Sequence, residues 1–187
     1  MKIRHFISTL LCCSLLSSPA FALFDDKFEA EVLKETDAVR LARDTQAGGY
    51  ELLTVAELKA MLDAGKAMVL VDTMPESNFV KEHIPGAVNF LFPVPRMNAW
   101  DSKETAGKTE AEYAALLGTD KAIPVVIYCG FVNCTRSDNG AVWARKLGFS
   151  KVYRVPGGLF AWRGAKFPLE AGKAEGKAII AQDCCKP

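Results

Sequence analysis

The sequence predicts an α/β domain, with a mostly parallel sheet and helices on both faces. Two observations carry this expectation. Residues 67–71 and 124–128 are short, unbroken apolar runs, the pattern of strands buried on both faces. Capping boxes, Thr54 with Glu57 and Thr109 with Glu112, open helices before these runs. Strands alternating with helices imply parallel pairing through helical crossovers. The 187 residues, 50 % hydrophobic and 24 % charged, fit one ordinary domain with extensions and exclude a largely disordered chain. The 23 Lys and Arg nearly balance the 22 Asp and Glu and are dispersed, so charge gives no reason to expect a nucleic-acid partner.

Residues 1–22 have the layout of a secretory signal peptide. Lys2 and Arg4 precede an apolar run over 6–16, and an Ala-Phe-Ala site ends at Ala22. The run is about half the roughly 20 residues that a membrane span needs, so no stable membrane insertion is expected. Export implies an oxidising compartment, the periplasm in a Gram-negative bacterium. Cleavage after Ala22 leaves Cys129, Cys134, Cys184 and Cys185 of the six cysteines. Residues 23–48 form an N-terminal helical arm, with Phe24, Phe28, Val32, Leu33 and Val39 at helical spacing, ended by Gly48-Gly49.

The domain itself is expected over 49–172. A helix runs from Thr54 to about Ala64, with Gly65 past its end, and the strand at 67–71 is followed by Asp72. Residues 75–82 are a short helical turn, 83–87 a turn, 88–90 a short strand and 91–108 a loop holding Pro93, Pro95 and Gly107. A helix over 109–117 leads to the strand at 124–128. Ser137 or Asp138 caps a helix ending near Gly148, a strand covers 151–155, and Pro156-Gly157-Gly158 turns into a helix with Phe160, Ala161 and Trp162. Trp143, Trp162 and Phe160 are expected in the core. Residues 173–187 are a flexible tail ending in Cys184-Cys185-Lys186-Pro187.

Ligands of open α/β sheets bind beyond the carboxyl ends of the strands. Cys129 stands at such an end, before a helix N-terminus whose unpaired N–H groups and dipole favour anions. This setting lowers a thiol pKa, and Arg136 in the same loop adds to the effect. A thiolate or a persulfide anion is the group it stabilises, held by the loop of Gly130, Phe131, Val132, Asn133, Thr135, Arg136 and Ser137. Cys134, five residues on, is placed as a resolving or redox partner. Phe131 and Val132 form a pocket wall or a docking tip. Two thiols with few histidines make a poor metal site, so no metal or other cofactor is expected.

Three segments together resemble a single-domain rhodanese, a sulfurtransferase. They are Val69-Leu70-Val71-Asp72 with Phe79 and His83-Ile84-Pro85-Gly86-Ala87; Val126-Ile127-Tyr128-Cys129 up to Arg136-Ser137; and Gly148-Phe149 through Pro156-Gly157-Gly158-Leu159-Phe160-Ala161-Trp162 to Phe167-Pro168. The resemblance implies that Cys129 takes sulfane sulfur from a small donor such as thiosulfate and passes it to cyanide or a thiol, including a thiol on a partner protein. It also implies a structural role for Asp72 and a turn role for His83. The chain departs from the family at Met74, Asn78 and Glu82, and its loop between Cys129 and Arg136 is longer than usual. Two rivals stand beside this reading: a thiol-disulfide or oxyanion reductase using Cys129 and Cys134, and a rhodanese-shaped binding module without activity.

Overall fold

A computed structural model describes residues 22–173; the expected signal peptide and the Cys184-Cys185 tail lie outside the described residues. Helix α1 spans Ala22–Gly48. The chain divides into two units at Thr36 and Asp37, so the last turns of α1 belong to the same compact unit as everything after them. The described part of the first unit is helix throughout.

The second unit follows the α/β alternation. Its further elements are β1 (Glu51–Leu52), α2 (Val55–Asp63), β2 (Val69–Asp72), α3 (Glu76–Phe79), β3 (Val88–Asn89), α4 (Glu110–Leu117), β4 (Val125–Tyr128), α5 (Arg136–Lys146), β5 (Val152–Val155) and α6 (Gly158–Gly164). The five strands lie in the order β1-β5-β4-β2-β3, and every pairing is parallel. Both capping boxes form: the Thr54 and Thr109 side chains accept from the Glu57 and Glu112 amides, and each glutamate reaches back to the cap.

Strand side chains alternate between two cores. Val69, Val71, Val125 and Ile127 join Tyr113, Leu117, Trp143 and Phe149 on one face. Leu70, Val126 and Tyr128 join Leu58, Phe79, Leu159 and Trp162 on the other. Strands β2 and β4 are buried at every residue, which is why they read as unbroken apolar runs rather than as alternation.

The structure corrects two sequence expectations and adds a strand that they did not include. Strand β1 went unread: two residues paired with β5 at Tyr153 and Arg154 carry no periodicity. Helix α5 begins at Arg136 with Thr135 as its N-cap, not at Ser137 or Asp138. The Ser137 and Asp138 side chains are spent elsewhere, as described below. Phe160, expected in the core, is 60 % exposed.

Candidate functional site

Two neighbouring strand ends meet at the site. Tyr128 ends β4 and hands the chain to Cys129. Next to it Asp72 ends β2, and the Thr73 amide and hydroxyl both donate to the Tyr128 carbonyl, at 3.0 and 2.8 Å. Asp72 is fully buried. Its Oδ1 accepts from the Met74 amide at 2.8 Å, while Oδ2 has no hydrogen-bond partner. Burial pushes its carboxyl up to about 7, against the opposing pull of the Met74 amide. The Tyr128 hydroxyl accepts from the Ile84 amide at 3.1 Å, and burial lifts its pKa well above the usual value. Through the Met74 amide Asp72 holds the turn that follows β2.

Cys129 and Cys134 are joined by a disulfide, with Cα atoms 6.2 Å apart. Both residues are buried, 3 % and 5 % exposed. In this state neither sulfur is a nucleophile, and a two-electron reduction is needed to free Cys129. None of the hydrogen bonds among the described residues uses the amides of Gly130, Phe131, Val132, Asn133 or Thr135. Thr135 gives α5 no side-chain cap, so the positive end of that helix also keeps unused N–H groups. The Cys134 amide is spent on the Phe131 carbonyl at 3.0 Å.

The loop side chains are anchored away from that role. Asn133 accepts from Arg40 and donates to Asp37 at 3.0 Å, both on α1. The Thr135 hydroxyl donates to the Val94 carbonyl, and the Ser137 hydroxyl to the Cys134 carbonyl at 3.4 Å. Arg136 is half-buried; its Nε has no partner, and burial lowers its pKa. The loop can therefore serve an anion through its backbone rather than through Asn133, Thr135 or Ser137 side chains. Phe131 stands out, 47 % exposed, stacked on Phe160 with ring centroids 5.6 Å apart.

The residue missed in the sequence is Arg154. It reads as one polar position in strand β5, yet it is 1 % exposed beneath the loop. Its guanidinium donates to the Cys134 carbonyl at 3.0 Å, the Val132 carbonyl at 3.3 Å, Ser137 Oγ at 3.0 Å and Tyr50 Oη at 3.2 Å. The Tyr50 hydroxyl donates onward to Asp138 at 2.7 Å, and Arg96 bridges Asp138 and Asp44. Burial raises the pKa of both Tyr50 and Asp138. The fork geometry of Arg explains the choice: one planar group reaches two carbonyls and two hydroxyls.

On the other side, α6 meets the loop through backbone contacts. The Leu159 amide donates to the Cys129 carbonyl and the Phe160 amide to that of Gly130, each at 2.9 Å. Gly158, at φ +53°, makes this possible: a Cβ there would lie 2.0 Å from the Cys129 oxygen. His83 stays apart from Cys129, its ring stacked on Phe79 and Nδ1 2.9 Å from the Phe79 carbonyl. Arg163 is exposed and paired with Glu82. Among the described residues no three His, Cys, Asp or Glu side chains gather as a metal would require, and no helix is long and apolar enough to cross a membrane.

The family model for the rhodanese-like domain matches residues 54–165. The chain is 29 % identical over 140 residues to an HTH-type transcriptional regulator of Mycobacterium tuberculosis, covering 75 % of this chain and 54 % of that protein. It is 32 % identical over 124 residues to the 3-mercaptopyruvate sulfurtransferase of Homo sapiens, covering 62 % of this chain and 40 % of that protein. It thus spans about half the length of the curated relatives it matches. In fold it is similar to a thiosulfate sulfurtransferase from Pseudomonas aeruginosa, with a TM-score of 0.54, 22 % identity, and coverage of 74 % of this chain and 23 % of that one.

Proposed function

Because the chain belongs to the rhodanese-like family, we propose that it is an exported sulfurtransferase whose nucleophile is Cys129. The supporting observation is that the Gly130–Asn133 and Thr135 amides, in the loop that leads from β4 to the uncapped start of α5, have no hydrogen-bond partner among the described residues. After reduction of the disulfide, the Cys129 thiolate attacks the outer sulfur of a sulfane donor such as thiosulfate. Sulfite leaves with the bonding pair, and Cys129 carries a persulfide. The N–H groups and the α5 dipole stabilise that anion. A thiol or cyanide then takes the outer sulfur and regenerates the thiolate. Arg154 is a positioning residue: it fixes the Val132 and Cys134 carbonyls and so the curvature of the loop.

The test is intact-protein mass spectrometry of the reduced chain after thiosulfate. One added sulfur on Cys129, lost on adding cyanide, is expected; its absence would refute the reading. The disulfide supports a second reading, thiol-disulfide exchange through Cys129 and Cys134. Cys134→Ser separates the two, since sulfur loading of Cys129 survives it under the first and the redox cycle is lost under the second.

A further inference from the structure

We propose that Asp37 and Arg40 of α1 are positioning residues for the reaction at Cys129, acting through Asn133. The effect on rate rests on the sulfurtransferase reading; the effect on the dithiol–disulfide equilibrium rests on the loop disulfide alone.

The loop backbone is held by its carbonyls. All its peptides are trans, so each N–H points opposite to the carbonyl of the preceding residue. The Cys129 and Gly130 carbonyls turn toward the Leu159 and Phe160 amides, the Phe131 carbonyl toward the Cys134 amide, and the Val132 and Cys134 carbonyls toward Arg154. These ties set the directions of the unpartnered amides of Gly130, Phe131, Val132, Asn133 and Thr135. Of residues 129–134, Asn133 alone has a carbonyl with no hydrogen-bond partner among the described residues. Its side chain is tied instead.

That tie comes from α1 and is matched atom by atom. Asn133 Oδ1 accepts from the Arg40 guanidinium, and Nδ2 donates to the Asp37 carboxylate at 3.0 Å. The acceptor meets the cation and the donor meets the anion, so both bonds are charge-assisted. Asp37 and Arg40 stand three residues apart on one helix face, the spacing of an ion pair. Yet among the described residues neither forms one; they straddle the Asn133 amide group. Both are half-buried and lie in the same compact unit as the loop. Both precede residues 54–165, so the brace is supplied from outside the family domain.

Its importance depends on the redox state. In the oxidised protein the Cys129–Cys134 bond closes residues 129–134 into a ring and holds the loop covalently. Reduction, which frees the nucleophile, removes that link. The loop then keeps its shape through its non-covalent ties, and the α1 brace holds the residue next to Cys134. Without the brace the reduced loop gains conformational freedom, while the oxidised loop stays closed. Two effects follow. The disulfide becomes easier to reduce, and the reduced loop loads sulfur more slowly because its amides are no longer held in place.

The experiment measures both quantities in the full chain, for wild type, for Asn133→Ala, and for Asp37→Ala with Arg40→Met, replacements that keep α1 helical. Reduction is followed at equilibrium in dithiothreitol buffers, and loading of the reduced protein by thiosulfate through quenching and intact mass. Each variant is expected to shift the equilibrium toward the dithiol about fivefold, the entropy of freeing roughly one residue's backbone, and to load sulfur about tenfold more slowly. All three substitutions together should cost no more than either set, since both remove the same contact. Asn133→Asp sets a carboxylate against Asp37 and should behave like Asn133→Ala. Adding Asp37→Asn exchanges donor and acceptor across that contact and should return both quantities to within about twofold of wild type. With wild type loading sulfur, an unchanged rate or an unchanged equilibrium in the Asp37–Arg40 variant, additive losses, or no recovery in the exchanged pair would each overturn the proposal. If wild type loads no sulfur while the equilibrium shifts as stated, the brace stands and the sulfurtransferase reading falls.

Discussion

Replacing Arg154 by Met removes the guanidinium beneath the loop while keeping much of the volume. Four hydrogen bonds go with it: to Ser137, Tyr50 and the Val132 and Cys134 carbonyls. Bonds from a charged donor contribute about 1.5–3 kcal/mol each, but the cost of burying the cation disappears too. The net loss should be that of breaking a buried polar cluster by removing one partner, about 3–5 kcal/mol. In a domain of this size each kcal/mol moves Tm by about 2–4 °C, so a fall of roughly 6–20 °C follows. Urea unfolding of the oxidised protein, with m unchanged, measures it. Arg154→Lys should recover only a small part, since an ammonium cannot reach two carbonyls and two hydroxyls at once. Sulfur loading of reduced Cys129 should also slow in the Met variant, because the loop carbonyls have lost their anchor. A loss under about 1 kcal/mol with unchanged loading would refute the account of Arg154 as the loop's support.

Asp72 predicts a pH dependence. Its carboxyl is held up to about 7 in the fold, against an ordinary 3.8. Between those pH values the native state holds a proton that the unfolded chain has lost, so stability falls as pH rises, by at most about 1.4 kcal/mol per pH unit and roughly 4 kcal/mol in all. Asp72→Asn should remove that contribution, and parallel stability–pH curves for the two proteins would refute it. Gly158→Ala forces a Cβ onto the Cys129 carbonyl in left-handed backbone. A loss of about 2–5 kcal/mol is expected on thermal unfolding, together with slower sulfur loading; wild-type values in both would contradict the described contact. Export predicts a mature protein starting at Leu23, which N-terminal sequencing of the protein secreted by a Gram-negative host checks; an intact Met1 in that fraction would exclude the leader.

What the sequence disclosed was what local chemistry decides. Thr54 with Glu57 and Thr109 with Glu112 make the expected caps because both partners sit within four residues. Strands β2 and β4 were legible because burial on both faces leaves no polar position. Where distant residues compete, local rules failed. Ser137 and Asp138 are good cap residues, but Arg154 and the Cys134 carbonyl engage the first, while Tyr50 and Arg96 engage the second. Arg154 itself was illegible: a lone cation in a strand of four residues reads as a solvated edge, and only the loop folded above it reveals four acceptors. Phe160 lies between Leu159 and Trp162, the residues of α6 that do turn inward, and helical spacing alone did not fix which side faced water.

The hydroxyl of Tyr50 carries a further implication. It belongs to the polar cluster that shapes the catalytic-loop candidate, yet it precedes the stretch recognised by the family model, as do β1 and the α1 residues that grip Asn133. Trimming the protein to 54–165 would keep the whole stretch that the family model matches and still take away one brace of Arg154 and both braces of Asn133. The smallest piece that behaves like the whole should therefore begin upstream, at about Asp37, and the bounds of the family domain alone would cut it too short.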